Sequence, residues 1–230
     1  MTSFWVADLL LTYESIMENS SLVLENRRPL KTRSKAWAQA LAKALASSGI
    51  SPNQISLFSL VFSVVALAFF VTASAHNLFL IFVLLGIQGR LLCNLMDGMV
   101  AIEFKKKSAV GELYNEIPDR LADALIILGA GYFSKSHDLA MSLTWVNILL
   151  AVLTAYIRTL GASLGNGHKF LGPMAKQHRM ALLSSAVVID LIFKTDAVYI
   201  ALWIMFIGLV ITIFRRIQNL AQFLKLKEKQ

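Results

Sequence analysis

Two short polar clusters carry the residues of this chain that could do chemistry. Asn94, Asp97, Gly98 and Ala101 are spaced i, i+3, i+4 and i+7, so on a helix they share one face. Arg90 lies one turn earlier on the same side. Gly111, Asn115, Asp119 and Asp123 follow at intervals of four and form a second stripe, with Glu112 and Glu116 beside it. The intervening linker 102–110 contains Lys105-Lys106-Lys107. Its shortness predicts two antiparallel neighbouring helices that meet at this end. Oxygen donors facing one another from two helices suit a hard divalent cation such as Mg²⁺, which is often held by one or two carboxylates together with substrate phosphates. Histidine and cysteine are missing from both clusters, which argues against zinc. Gly98 and Ala101 leave room for a backbone or ligand to come close. The same residues also allow a purely structural reading, a buried network pairing Asp97 or Asp123 with Arg90 or Arg120.

The elements that must position these groups read as membrane helices. The stretch from Asp97 to Asp123 holds six of the fourteen acidic residues, and it is flanked by apolar runs. Ionisable groups at membrane depth are costly and face a cavity, a partner or an ion. The chain is 57% hydrophobic and 16% charged, far from the roughly one-quarter charged composition of a soluble domain. Six apolar stretches are predicted as spans: about 54–74, 77–100, 112–133, 140–162, 179–193 and 197–214. The expected fold is therefore an all-α integral membrane protein with six transmembrane helices. Ahead of them, Trp37, Leu41 and Leu45 recur every fourth residue within 34–48, which predicts an N-terminal amphipathic juxtamembrane helix. Pro52 suits a helix start, whereas Pro118 falls inside the third stretch and should bend it. With both termini cytoplasmic, seventeen basic residues fall inside and two, Lys135 and Lys194, outside. That asymmetry obeys the positive-inside rule and puts both polar clusters at the cytoplasmic boundary. Arg90, Arg120 and Arg158 lie within spans and need partners.

Several classes are disfavoured. The net charge of +8 comes without a zinc-finger, basic-zipper or aromatic RNA-binding pattern. The single cysteine, Cys93, excludes an intrachain disulfide and reads as a buried thiol. The N-terminus carries Asp8, Glu14 and Glu18, unlike a cleaved signal peptide. A transporter is a weaker reading, since the polar groups cluster at one membrane face.

The series Asn94-x2-Asp97-Gly98-x2-Ala101-x9-Gly111-x3-Asn115-x3-Asp119 resembles the signature of the CDP-alcohol phosphatidyltransferases, D-x2-D-G-x2-A-R-x8-G-x3-D-x3-D. The spacing agrees at every position. The resemblance runs over about residues 50–215 and divides the chain into an interfacial segment 1–50, a membrane domain 51–215 and a basic tail 216–230. Ser51 to Ser56 resembles the start of the family's first span. Tyr156-Ile157-Arg158 resembles the region near the acceptor in members that use phosphorylated alcohols, and Gly172-Pro173-x2-Lys176-x2-Arg179 resembles the basic loop after it.

The resemblance implies attack of an alcohol on the β-phosphorus of a CDP-linked lipid such as CDP-diacylglycerol, with release of CMP. It implies Asp119 as general base and Asn94, Asp97, Asn115 and Asp119 as the metal set, for Mg²⁺ with Mn²⁺ as a substitute. Asn53, Asp97, Gly98, Ala101, Gly111 and Lys105 would contact the nucleotide, and Arg158, Lys176 and Arg179 the acceptor. It also implies a homodimer in a bacterial inner membrane. Three positions depart from the pattern. Asn94 and Asn115 replace the first and third aspartates, and Ile102 replaces the arginine. Two negative charges are lost, so one metal in place of two becomes an open alternative, with Glu112 or Glu116 as replacement ligands. Lys105, Lys106 or Arg90 would take over the arginine's phosphate contact. A non-catalytic protein that binds a CDP-lipid on the same scaffold is the rival reading. Lys176 and Arg179 also read as plain loop charge, His168 and His178 as solvated, and Tyr114 and Tyr156 as packing groups.

Overall fold

A computed structural model describes residues 31–229 apart from 74, 105 and 107. The expectations placed on residues 1–30 and on Lys105 lie outside the described residues. Seven α-helices are found among them: α1 (Ala36–Ser47), α2 (Pro52–Ala73), α3 (Leu80–Glu103), α4 (Gly111–Phe133), α5 (Ala140–Ser163), α6 (Lys176–Phe193) and α7 (Ala197–Lys227). A 3₁₀ turn, Asn77–Phe79, leads into α3.

The expectation of six spans is corrected to four among the described residues. Helices long and apolar enough to cross a membrane are Pro52–Ala73, Asn77–Glu103, Ala140–Ser163 and Ala197–Lys227, and they make the chain an integral, multi-spanning membrane protein. The stretches at 112–133 and 179–193 do form helices, α4 and α6, but charges remove them from the set. Helix α4 carries Glu112, Glu116, Asp119, Arg120 and Asp123, and α6 carries Lys176, Arg179 and Asp190 along only 18 residues. These charges are answered from inside the protein. Asp190, for example, accepts the backbone N–H groups of Ala197 and Val198 at 2.8 Å each and the Thr195 hydroxyl at 2.7 Å. It thereby satisfies orphan donors at the start of α7. Just before that, Lys194 turns the chain through a left-handed conformation, φ 51°, the usual end of a helix.

Helix α2 is the hub. It packs along α3 on one side and α4 on the other, while α5 packs on α7. The two motif helices, α3 and α4, are joined chiefly through side chains, Arg90 of α3 bonding Asp123 of α4. Small residues explain the wedge. A Cβ on Gly86 of α3 would come within 2.8 Å of the Phe62 carbonyl oxygen and 2.9 Å of Ala66. One on Gly129 of α4 would meet Phe70 at 2.8 Å. Both glycines let backbones close on α2, and without a hydrophobic drive between helices in lipid such packing supplies the association energy. Phe70, Ile87, Ile126, Met180 and Met205 fill the buried centre, while Phe58, Leu85, Leu149 and Ile207 point outward. Helix α1 rests on α3, burying Ala38 and Ala42, with Leu41 and Leu45 partly covered and Trp37 50% exposed.

Candidate active site

The wedge leaves a cavity of about 850 Å³ at one end of the bundle, open between α3 and α4. It is ringed by the start of α2, the end of α3, the starts of α4 and α6 and the C-terminal halves of α5 and α7. Every residue singled out above as metal, nucleotide or acceptor ligand lines it, except Arg90, which lies behind it, and Lys105, which lies outside the described residues. Its walls carry seven basic and four acidic side chains. That excess suits a ligand with several negative charges.

Four of the lining groups are those expected to supply oxygens to a metal. Asp97 is buried and accepts the Ser56 hydroxyl at 2.8 Å, so α2 orients it. Asp119 is buried, bonded by Lys176, with Arg90 Nη2 at 3.7 Å from its Oδ1. Asn94 and Asn115 line the same cavity. The Asn94 amide nitrogen is buried without a hydrogen-bond partner. Which end of that amide faces inward is set by whatever it meets. Among the described residues no group of three or more His, Cys, Asp or Glu side chains converges as a metal site. The donors are thus two carboxylates and two neutral amides. Gly111 borders the cavity beside Ser108, whose hydroxyl accepts the Asn53 amide at 3.2 Å. Lys106 donates to the Ala46 carbonyl at 2.6 Å, which ties the linker to α1.

A second, drier network backs this set. Asp123 is bonded by Arg90 and by Arg179. Arg90 is fully buried and also reaches the Asp119 carbonyl at 3.5 Å. Arg179 donates to the Met174 carbonyl at 2.9 Å. The Asp–Arg pairing read from the sequence therefore exists for Asp123 and Arg90, behind the cavity and not in place of it. Arg179 lines the cavity but has both of its terminal nitrogens committed to this network.

The third cluster surrounds Arg158. Its Nη2 donates to both oxygens of Glu116, at 2.7 and 2.8 Å, and Arg120 bonds the same carboxylate. Glu116 is therefore engaged by two guanidiniums. Burial pushes its carboxyl up, but Arg120 and then Arg158 outweigh that and hold it below the usual range. Burial holds the Lys176 ammonium below the ordinary lysine range, against the pull of Asp119. His168 stands 3.4 Å from Arg158 Nη1, and the Phe170 ring lies under the guanidinium at 5.6 Å. His178 is exposed and meets the Pro173 carbonyl at 2.6 Å.

Three contributors went unrecognised in the sequence. Ser56 sits three residues after Asn53 on α2, so a helical reading of that segment already placed both on one side. Arg216, read as tail charge, donates to the Leu171 carbonyl at 3.0 Å and to Thr154. It pins the 164–175 loop to α5 at the cavity wall. Phe170 carried no signal beyond its place in a basic loop.

Known proteins related to this chain are of one kind. An uncharacterised protein of Aquifex aeolicus is 27% identical over 87% of this chain and 97% of its own length. The archaetidylinositol phosphate synthase of Pyrococcus horikoshii is 24% identical over 82% and 97%. The phosphatidylinositol phosphate synthase of Mycobacterium tuberculosis, solved with manganese and citrate, has the same fold. It aligns with TM-score 0.68 and 18% identity over 80% of this chain and 88% of that one; it has also been solved with CDP-DAG bound. The family model for CDP-alcohol phosphatidyltransferases matches residues 49–214, and the chain belongs to that family.

Proposed function

We propose that the chain transfers a phosphatidyl or related substituted-phosphate group from a CDP-linked lipid to an alcohol, releasing CMP. The observation that carries this reading is that Asp97 and Asp119, from two different helices, face one basic cavity together with Asn94 and Asn115. In this reading the acceptor hydroxyl attacks the β-phosphorus, its proton passes to Asp119, and the bond to the CMP oxygen breaks. General-base transfer needs the proton within hydrogen-bond reach, and Asp119 borders the open cavity.

The donor set fits a single hard cation. Asn94, Asp97, Asn115 and Asp119 would hold it, with remaining positions left to water and phosphate oxygens. A bound Mg²⁺ or Mn²⁺ neutralises pyrophosphate charge and polarises phosphorus. A pair of cations suits this set poorly, since it offers two negative charges and Lys176 already bonds one of them. Asn53, Gly98, Ala101 and Gly111 would border the nucleotide. Arg158 would hold the phosphate of a phosphorylated alcohol; the names of the Pyrococcus and Mycobacterium relatives support an acceptor of that type. Lys176 would bridge acceptor and base, and Arg179 would support the wall through Asp123. The basic cavity end would face the cytoplasm.

The Asn pair, Ile102 and the Lys176–Asp119 contact favour one rival, a protein that binds a CDP-lipid without turnover. An acceptor screen with purified protein, CDP-diacylglycerol and Mg²⁺, read as CMP, decides between them. CMP release lost in Asp119→Ala supports the transferase. Saturable CDP-lipid binding with no CMP from any acceptor supports the rival.

A further inference from the structure

We propose that Glu116 is a resident carboxylate that occupies one prong, Nη2, of the anion-binding fork of Arg158 until the phosphate of an acceptor displaces it. The inference rests on the assignment of Arg158 to the acceptor. It makes Glu116 the residue that sets how tightly a phosphorylated alcohol is held.

Both Glu116 oxygens lie on one guanidinium nitrogen, at 2.7 and 2.8 Å. The pair borders the cavity and bridges α4 to α5. The two side chains are 28% and 14% exposed, so a ligand in the cavity can reach them. The rest of the surroundings of Arg158 would serve an anion equally well. Phe170 holds the guanidinium plane, and His168 and Arg120 stand beside it. A phosphate monoester offers the same paired oxygens as a carboxylate, with more charge, and planar guanidinium recognition is matched to both. Glu116 thus fills the place with a chemical likeness of the ligand, tethered on a neighbouring helix.

A neutral alcohol has nothing to exchange for the carboxylate, because releasing Glu116 would leave a half-buried guanidinium unpaired. A phosphate exchanges anion for anion, and the freed Glu116 keeps Arg120 as its partner one helical turn away. The device therefore lowers affinity for a phosphorylated acceptor, which must displace Glu116, and leaves that for a neutral one, which does not, unchanged.

The test is calorimetric binding to the purified full chain in lipid nanodiscs, with sn-glycerol 3-phosphate, glycerol and CMP as probes. Glu116→Gln should tighten sn-glycerol 3-phosphate by about two- to fivefold, the scale of removing a partly exposed ion pair, and leave glycerol and CMP unchanged. Glu116→Asp, whose shorter arm keeps the charge but reaches the fork poorly, should fall between. Phosphate-ester binding that depends on Arg158 but is equal or weaker in both Glu116 variants overturns the latch alone. Tightening of CMP instead would place Arg158 on the donor and overturn it as well. Phosphate-ester binding unaffected by Arg158→Gln overturns the acceptor reading beneath it.

Discussion

Removing the carboxylate of Asp123 should damage the fold more than removing any carboxylate that faces the cavity. Asp123 accepts hydrogen bonds from Arg90 and Arg179, whose side chains are 0% and 4% exposed. Truncation leaves two guanidiniums without their counter-charge where water does not reach. Breaking a buried pair by deleting one partner costs about 3–5 kcal/mol. The structure argues for the lower end, because Arg90 keeps the Asp119 carbonyl at 3.5 Å and Arg179 keeps the Met174 carbonyl at 2.9 Å. At about 2–4 °C per kcal/mol for a chain of this size, Asp123→Ala should lower the apparent melting temperature by roughly 6–12 °C. Asp123→Asn, which retains one acceptor oxygen, should lose about half of that. Asp119→Ala should lose less, since Lys176 is partly exposed and can turn to solvent. Thermal unfolding in detergent, followed by size-exclusion fluorescence, measures all three. A shift below 2 °C for Asp123→Ala, or a larger one for Asp119→Ala, would refute the division into a supporting network and a working face.

The Asn pair should set the metal count: calorimetry should find one divalent cation per wild-type chain and a second in Asn94→Asp/Asn115→Asp. An unchanged stoichiometry would remove both residues from the metal set. At the helix contacts, Gly86→Leu should cost about 1–3 kcal/mol, the usual toll of overpacking, because its Cβ would press on the Phe62 carbonyl and Ala66. Leu85→Ala, on the outward face, should leave the melting temperature nearly unchanged. Loosening the loop by Arg216→Gln should raise KM for the acceptor more than for the CDP-lipid, since Arg216 ties Leu171 to the wall that carries Arg158. Equal changes in both would argue against that role.

The site was far more legible in the sequence than its setting. Spacing alone put Asn94, Asp97, Asn115 and Asp119 on two helix faces, because helical periodicity is local and needs no knowledge of neighbours. Their meeting in one cavity follows from the short linker, but the wedge of α2 between α3 and α4 does not. It depends on Gly86 and Gly129 meeting Ala66 and Phe70, contacts between residues far apart in the chain. The span count failed for a related reason. Apolar stretches at 112–133 and 179–193 look like lipid-facing helices until the partners of their charges are known. Asp123 finds Arg179 from 56 residues away, and Asp190 caps the next helix. At α1 the four-residue repeat of Trp37, Leu41 and Leu45 marked a face for the membrane surface, whereas the contact of Ala38 and Ala42 with α3 left no apolar repeat to read.

The central claim is that Asp119 takes a proton in a transfer that releases CMP. Its most direct measurement is CMP release from CDP-diacylglycerol by the purified full chain, with an alcohol acceptor and Mg²⁺, in wild type and Asp119→Ala. The account predicts acceptor-dependent CMP release that stops in excess chelator. It also predicts a loss of at least about a hundredfold in the variant, the lower range of a general base's contribution, with CDP-lipid binding retained. Full CMP release by a folded Asp119→Ala protein would contradict it.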